Sequence, residues 1–327
     1  MKKSGHHIVP LLKRRLMLWL KSLDLRESFN NTMIHKTVLL HESIDNLNIH
    51  PGNIYLDGTL GSGGHAEYAL EKTRGSIKVI GLDKDTEALE RTGRRLEKYS
   101  GVILKEASYG DLDKVLDELK IEKVNNIMLD LGLSSDQLET SGRGFSFQKD
   151  EPLLMTFSSE AGDLTAQKIL NEWALESIAD IIYGYGEEKY SRRIAKAIVE
   201  YRKKKYIETT GELSEIISQN VPIFYRRGRL HPATRTFQAL RIAVNDELNV
   251  LKKGLEKGFE RLAKKGRMAV ISFHSLEDRI VKNFNKEKAI EGRAVIITKK
   301  PVVPSREEIR ENQRSRSAKL RILEKIE

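Results

Sequence analysis

The 327-residue chain contains no cysteine and no long apolar run. Because the chain has no thiol groups, it can form no disulfides, thiolate metal sites or cysteine nucleophiles. A reducing compartment is permitted. A bilayer span needs roughly 20 apolar residues in succession, whereas the apolar run at residues 16–20 is far shorter. We therefore expect a cytoplasmic protein that makes no membrane contact.

Four sequence patterns that mark catalytic or ligand-binding sites are also missing. No G-x-x-x-x-G-K-[ST] sequence is present, which excludes a phosphate-binding P-loop. No G-x-S-x-G sequence is present, which argues against a serine hydrolase elbow. The histidines are scattered, with neither H-x-x-x-H nor H-E-x-x-H, so no metal is expected.

The charge of the chain is strongly basic. Fifty-seven Lys and Arg residues stand against 47 Asp and Glu residues, for a net charge of +10 and a pI near 9.4. This balance favours an anionic partner, with nucleic acid ahead of a membrane surface. The alternative is that Lys and Glu only solvate the surface.

A glycine-rich turn from Asp57 to His65, with the sequence DGTLGSGGH, follows an apolar strand and precedes a helix. Glycine permits tight turns and close approach of a ligand to the backbone, and the helix start offers free N–H groups. A carboxylate at the strand end would repel a pyrophosphate but attract the ammonium of a methionine moiety. Asp83, at the end of the next strand, is placed to bind ribose hydroxyls. S-adenosylmethionine fits both carboxylates, and the alternative is a plain strand–turn–helix junction.

The hydrophobic pattern predicts one α/β domain, a doubly wound parallel sheet interrupted by helices. Strands and helices alternate up to the strand that ends at Asp130, which predicts a parallel sheet with its ligands at the carboxyl ends of the strands. From about 138 to 231 the pattern is helical, and strand–helix order then returns. We therefore predict a domain from 33–137 and 232–327, a helical insertion at 138–231, and an N-terminal extension at 1–32. Residues 320–323 are predicted to add a last strand at the sheet edge.

The loop after the fourth strand begins with Asp130. In methyl transfer to an amine, an acceptor for the amine N–H would localise the nitrogen lone pair, and Asp130 or a loop carbonyl could serve. Asp130 could instead hold the cofactor. It could also cap the next helix together with Ser134 or Ser135.

The segment from 271 to 279 contains His274 and Ser275 side by side. Adjacent residues make poor triad geometry, so we interpret the segment as a substrate loop and helix start. A pure capping role is the alternative.

Cations and an aromatic alternate in the segment from His231 to Ile242, as contacts to phosphates and an unstacked base require. A solvated amphipathic helix is the alternative. Three basic clusters, at 202–205, 226–229 and 314–316, have the composition of phosphate-positioning sites.

Eight motifs, taken in order, resemble the RsmH (MraW) family of small-subunit ribosomal RNA cytosine-N4 methyltransferases. They begin at His35, Asp57, Asp130, Arg143, Tyr185, His231, Ser272 and Arg314. The resemblance spans His35 to Glu327. It implies a class I methyltransferase fold with an inserted helical domain, and S-adenosylmethionine as donor. It also implies a cytosine in the P-site region of 16S rRNA as acceptor. We expect this RNA to be bound within the small ribosomal subunit, and binding of naked RNA is the alternative. Monomer and homodimer both remain open.

The resemblance also implies site residues. We expect catalysis to rest on Asp130, with contributions from His274 and Ser275. Cofactor contacts are expected at Asp57, Gly61, Gly63, Gly64, His65, Asp83, Tyr109 (where the family usually has phenylalanine), Asp130 and Gln137. Substrate contacts are expected at Arg143, Phe145, Arg235, Phe237 and Arg241.

One departure from the family pattern falls after the motif at Arg143. The family's P-L-D-M-R-M is Pro152 to Phe157 here, with Leu154 and Thr156 in place of the acid and the arginine. The paired loss suggests a missing ion pair near the substrate. It leaves open an alternative function, a non-catalytic RNA-binding ribosome assembly factor that retains the fold. A smaller departure places Gln313 where proline is usual.

Overall fold

The computed structural model describes residues 36–133, 138, 141–158 and 164–327. The predicted extension at 1–32, Gln137 and the serines at 134 and 135 lie outside the described residues. Residues Thr37 to Glu327 form one compact unit. None of the helices within the described ranges is long and apolar enough to cross a bilayer.

A seven-stranded sheet forms the centre of the unit, in the order β3-β2-β1-β4-β5-β7-β6. The strands are β1 Ile54–Asp57, β2 Lys78–Asp83, β3 Val102–Glu106, β4 Val124–Asp130, β5 Leu262–Ser272, β6 Ala294–Ile296 and β7 Lys319–Lys325. The first five strands run parallel, and β7 is antiparallel to both β5 and β6. This Rossmann-like α/β sheet confirms the predicted fold class.

Helices cover both faces of the sheet and make up most of the chain between β4 and β5. They are α1 Leu40–Leu47, α2 Gly64–Lys72, α3 Thr86–Leu96, α4 Leu112–Glu118, α5 Ala166–Glu172, α6 Leu175–Gly184, α7 Ser191–Arg202, α8 Thr210–Asn220, α9 Ile223–Arg226, α10 Thr234–Asn245, α11 Glu247–Arg261, α12 Ser275–Ile290 and α13 Arg306–Glu311. A short 3₁₀ helix, Tyr109–Asp111, precedes α4.

Alternate strand residues divide the interior into two cores. Leu56 and Ile80 face a core that contains Phe259 of α11, whereas Tyr55 and Val79 face a core on the other side of the sheet. Successive side chains of a strand point to opposite faces, so a strand buried on both sides is apolar throughout. This explains why the strands appear in the sequence as short continuous apolar runs.

The helical segment between β4 and β5 has a core of its own. Ile169, Ile182, Ile194 and Leu213, from four successive helices, are fully or nearly fully buried together. Phe237 of α10 belongs to the same core, so the packing continues past the predicted boundary at 231. The insertion stays a prediction, and this packing favours a later end for it.

One detail of the expected topology is wrong. The strand predicted at the sheet edge, β7, lies between β5 and β6, so β6 is the edge strand. The strand order depends on long-range packing, which local hydrophobic spacing does not report. The helices α10 and α11 meet at Asp246, whose φ of 49° is left-handed.

Candidate functional site

Three carboxylates stand at the carboxyl ends of neighbouring strands. Asp57 ends β1, and it is aligned with Gly81 of β2 and Met128 of β4. Asp83 and Asp130 end those strands two residues further on. Because side chains two apart lie on one face of a sheet, the three acids share a face at one edge. This is the edge at which ligands bind in open α/β sheets.

The glycine-rich turn is built so that its backbone lies open beside these acids. Gly61 and Gly63 have φ values of 50° and 76°, in the left-handed region that favours glycine. A Cβ on Gly63 would lie 2.5 Å from Cγ2 of Thr92, and one on Gly64 would lie 1.9 Å from Oγ1 of Thr37. The hydroxyl of Thr92 donates to the carbonyl of Gly61 over 2.7 Å. The turn therefore has no room for a Cβ at Gly63 or Gly64.

Burial dominates the electrostatics of Asp57. Its side chain accepts hydrogen bonds from the Tyr55 hydroxyl (3.1 Å) and the Thr59 N–H (3.2 Å). Desolvation nevertheless raises its pKa to about 7, and the neighbouring charge of Asp83 adds to the effect. A nearby cation would reverse this shift, so the site favours a positively charged ligand.

Asp83 orders the turn from the second strand. Its Oδ2 accepts the Gly61 N–H over 2.7 Å, and its Oδ1 accepts the Asp85 N–H over 3.0 Å. Desolvation raises its pKa, although these backbone N–H groups oppose the rise. The carboxylate therefore fixes the turn between β1 and α2.

Asp130 is the acid with the least internal support. Its backbone N–H donates to the Thr59 hydroxyl over 2.6 Å, but its buried Oδ1 has no hydrogen-bond partner among the described residues. Burial, followed by the charges of Asp57 and Glu277, raises its pKa well above the ordinary value. His65 lies beside it, with Nδ1 3.9 Å from Oδ2. Asp130 thus offers a buried acceptor oxygen, Oδ1, and Thr59 holds the residue in place through its backbone N–H.

His274 is the N-cap of α12. Its Nδ1 accepts the Glu277 N–H over 3.4 Å, and its Nε2 lies 3.1 Å from Oε1 of Glu277. The other oxygen of Glu277 accepts the N–H groups of Phe273 and His274. Burial opposes the ionisation of Glu277, but the contact with His274 holds its pKa below the ordinary value. The structure gives His274 a capping function, and its catalytic function stays a prediction.

Arg241 makes a bidentate ion pair inside the protein. Its Nε and a terminal nitrogen each lie 2.8 Å from one oxygen of Glu247. Glu247, His274 and Glu277 place ligand atoms within 4.8 Å of one another, close enough for a metal ion. Since the guanidinium occupies both oxygens of Glu247, a second cation there would be repelled. We interpret the group as an ion-pair network.

Tyr109 lies next to this network. Burial raises the pKa of its phenol, as do the charges of Glu277 and Glu247. The Tyr109 ring lies against Gly254, where an added Cβ would come within 2.5 Å of the Tyr109 Cδ2. The Cβ of Tyr109 packs against Gly58 in the glycine-rich turn. Tyr109 therefore stays a candidate for the adenine contact.

Ser275 contacts the helical segment. Its hydroxyl donates to Oε2 of Glu187 over 2.6 Å, and Arg279 donates to Oε1 over 3.2 Å. Arg235 donates to the carbonyl of Glu187 over 2.9 Å. The contact with Ser275 and the charge of Arg279 outweigh desolvation and lower the pKa of Glu187. Ser275 and Arg235 thus join α12 and α10 to the loop after α6.

Three of the predicted substrate contacts, at Arg143, Phe145 and Phe237, are used inside the fold. Arg143 donates to Oδ2 of Asp85 over 2.8 Å and to the Phe157 carbonyl over 2.7 Å. Phe145 stacks on Phe157 and is 7% exposed, and Phe237 is 4% exposed. These positions leave Phe145 and Phe237 no exposed ring face for a base. All three residues are engaged in internal packing and pairing, and their substrate function stays a prediction.

The residues present fit S-adenosylmethionine. The turn contains glycines at which a Cβ would clash with neighbouring atoms, and the three acids favour a cation. Oδ1 of Asp130 is a buried acceptor with no hydrogen-bond partner among the described residues. When bound, the donor supplies an electrophilic methyl group on a positively charged sulfur. Asp57, Asp83 and the turn from Gly61 to His65 are the groups that would hold it.

Sequence reasoning missed three residues that build the site. Thr92 supports Gly61 and Gly63 from α3, and no local signal marks it. Asp85 caps α3 by accepting the Glu87 and Ala88 N–H groups, and its position before a helical run is a recognisable N-cap signal. Glu187 stands within the motif from Tyr185 but gives no sign of its contact with Ser275.

Comparison with known proteins assigns the family. The profile of the MraW methylase family matches residues 32–326. Proteins named ribosomal RNA small subunit methyltransferase H are 47% identical in Clostridium botulinum (strain Kyoto / Type A2) and 48% identical in Acetivibrio thermocellus, over 308 and 312 residues. Each alignment covers 89% of this chain and 99% of the relative. The chain therefore belongs to the MraW methylase family, and it is a methyltransferase that uses S-adenosylmethionine.

Proposed function

We propose that this protein methylates the exocyclic N4 amine of a cytosine in the P-site region of 16S rRNA, in the cytoplasm. The relatives at 47% and 48% identity are named for small-subunit ribosomal RNA methylation. The net charge of +10 suits a polyanionic substrate. The target base would leave its stack to reach the recessed edge of the sheet.

The observation that carries this proposal is the buried Oδ1 of Asp130, without a hydrogen-bond partner among the described residues. An exocyclic amine is a poor nucleophile because its lone pair is delocalised into the ring. Oδ1 accepts one N–H of that amine, which orients the remaining lone pair. Methyl transfer would form the new C–N bond as the methyl–sulfur bond of the donor breaks and leaves a neutral thioether, and the nitrogen would then lose a proton. A carboxylate whose pKa is raised well above the ordinary value is a competent acceptor for it.

The surrounding residues keep this geometry fixed. Thr59 holds the Asp130 backbone, and His65 lies against its second oxygen. Direct attack by the amine requires no covalent enzyme intermediate. Asp57 is 1% exposed and the Asp130 side chain is 22% exposed, so the bound donor and base would complete the exclusion of water at this edge.

No contact among the described residues favours the alternative, a non-catalytic assembly factor. Thr156 is buried and its hydroxyl donates to the Ser158 carbonyl over 3.2 Å. Asn245 holds the same segment by donating to the Met155 carbonyl and accepting the Phe157 N–H. The segment that departs from the family is therefore well folded.

The test uses purified full-length protein, methyl-labelled S-adenosylmethionine, and small ribosomal subunits or naked 16S rRNA. Mass spectrometry of the digested RNA should detect labelled N4-methylcytidine. Asp130→Asn should lower turnover by roughly 10²–10⁴-fold, whereas Asp117→Asn, at an exposed carboxylate on α4, should have no effect. Donor binding with no labelled N4-methylcytidine on either substrate would refute the proposal.

A further inference from the structure

An exposed aromatic and basic surface lies on the helical segment, at the short helix α9. We call it the Phe224 surface and define it by Lys189, Tyr190, Ile223, Phe224 and Tyr225. Phe224 is 67% exposed and Ile223 is 64% exposed. Two large adjacent apolar side chains in water cost free energy that a partner would recover. Since they contribute little to the core, the surface indicates a binding function.

The cluster is preorganised. The Lys189 ammonium lies 5.1 Å from the Tyr190 ring centroid, 5.4 Å from Tyr225 and 5.9 Å from Phe224. The Tyr190 and Tyr225 rings meet edge to face, with centroids 5.0 Å apart. The Tyr225 hydroxyl donates to buried Glu188. The rings are thus fixed from below while Phe224 and the cation face outward.

The exposed charges beside these rings are basic. Arg226, Arg227 and Arg229 lie two to five residues after Phe224 in the chain and are exposed. Arg226 donates to the Val221 carbonyl, whereas the guanidinium groups of Arg227 and Arg229 make no ion pair with any part of the chain that the structure describes. Unneutralised cations next to an exposed ring complement a phosphate backbone and an unstacked base. They do not complement an apolar protein face.

The Phe224 surface borders the candidate active site. Glu187 accepts the hydrogen bond from Ser275, the residue after His274. Lys189, over the Phe224 ring, is two residues further along the chain. Two residues span at most roughly 7 Å between Cα atoms, so Lys189 lies close along the chain to the residue that contacts Ser275.

We infer that the Phe224 surface binds the single-stranded RNA that flanks the target base. Phe224 stacks on an unpaired base, and Lys189, Arg227 and Arg229 contact the adjoining phosphates. The inference rests on the proposed function and names where the substrate is held outside the reaction centre. Stacking accepts any base, so this surface supplies affinity and position while the pocket selects the base.

The test measures binding of the full-length protein to a fluorescently labelled single-stranded RNA oligonucleotide and to a duplex of the same sequence. Phe224→Ala should weaken single-strand binding about tenfold, in line with the loss of one base–aromatic stack, and Phe224→Trp should retain binding and show quenching of its indole fluorescence. Arg227→Gln with Arg229→Gln should lower both the affinity and the slope of log affinity against log salt. Tyr183→Ala, at an aromatic of α6 that is 67% exposed like Phe224 but has no Lys or Arg near it in the chain, is the matched control and should change none of these.

Several outcomes would overturn the inference. They are unchanged single-strand affinity in Phe224→Ala, equal losses for single strand and duplex, or a Phe224→Ala effect on sedimentation of the free protein with none on RNA, which would identify the surface as a contact between copies of the chain. Methyl transfer by the wild type is measured in parallel. If the wild type transfers methyl groups and Phe224→Ala binds single-stranded RNA as well as the wild type does, only the inference is refuted. If the wild type transfers no methyl groups, the proposed function is refuted.

Discussion

At the scale of single residues, Asp57 and Asp130 are expensive to ionise in the free protein. Burial raises the pKa of both carboxyl groups, and the charge of Asp83 adds to the rise at Asp57, whereas the charges of Asp57 and Glu277 add to it at Asp130. Such shifts are unfavourable for stability and typical of functional sites. A cationic ligand offsets the cost, which couples ligand binding to proton release.

The affinity for S-adenosylmethionine should therefore rise with pH through about 7. The folded pKa of Asp57 is about 7, against 3.8 for the ordinary group, so below pH 7 the folded site carries a proton that the cationic donor must displace. For the same reason, the contribution of Asp57 to the free energy of unfolding is largest below about pH 4 and is lost as the pH rises to about 7. Calorimetry at pH 6, 7 and 8 in buffers of different ionisation enthalpy measures the released protons.

Asp57→Asn is the informative variant for this pH dependence. It should bind the donor more weakly at pH 8 and lose most of the dependence around pH 7, whereas Asp117→Asn should behave as the wild type. Equal proton release in Asp57→Asn and the wild type would show that another group, such as Asp130, is responsible.

Gly63 tests the shape of the turn. Gly63→Ala should lower the free energy of unfolding and the donor affinity, because a Cβ meets Thr92 Cγ2 at 2.5 Å and φ is 76°. Thr92→Ser removes Cγ2 and retains the hydroxyl that binds the Gly61 carbonyl, so the double variant should recover part of the loss. Gly52→Ala, with φ of 81° and no atom within 4 Å of the added Cβ, should cost only the conformational penalty of about 1–2 kcal/mol. If Gly63→Ala costs no more than Gly52→Ala, the close packing is unimportant.

At the scale of secondary-structure elements, ion pairs between distant segments hold the site. Arg143, before the helices of the insertion, pairs with Asp85, the N-cap of α3. Their side chains are only 13% and 7% exposed. The pair therefore joins the segment after β4 to the helix that follows Asp83.

Arg143→Met should lower the free energy of unfolding by roughly 3–5 kcal/mol, because it leaves a buried carboxylate without its cation. Arg94→Met, at an exposed i,i+4 pair with Glu90 on α3, should cost less than about 0.5 kcal/mol. Urea denaturation measures both. If Arg143→Met raised the KM for RNA with no loss of stability, the residue would contact the substrate as the sequence predicted.

At the scale of the whole molecule, the helical segment is tied to the sheet at the edge that carries the acids. Glu187 receives hydrogen bonds from Ser275 and Arg279 of α12 and from Arg235 of α10. This contact joins the loop after α6 to α12, the helix that follows β5. It offers a structural explanation for Ser275 that competes with catalysis.

Ser275→Ala and Glu187→Gln should have similar, modest effects on kcat/KM for small ribosomal subunits, about tenfold or less, and their double variant should be no worse than either. That result follows if Ser275 acts only through Glu187, because the second substitution removes a contact already lost. Steady-state kinetics and donor calorimetry measure the effects, with donor affinity unchanged throughout. A much larger loss in Ser275→Ala than in Glu187→Gln would make Ser275 a catalytic residue.

The sequence by itself determined the alternation of strands and helices and the edge at which Asp57, Asp83 and Asp130 meet. Each acid directly follows an apolar strand, and parallel strands end at one edge, so local spacing was enough. The glycine turn was readable for the same reason. These features depend on neighbours within a few positions in the chain.

Only the tertiary structure decided which side chains meet across the fold. It placed β7 inside the sheet, used Arg143 for Asp85, buried the rings of Phe145 and Phe237, and joined Ser275 to Glu187. An arginine or phenylalanine in a polar motif has the same sequence signature whether it faces RNA or the protein interior. The choice depends on packing between residues tens of positions apart, where burial and pairing energies outweigh any local preference.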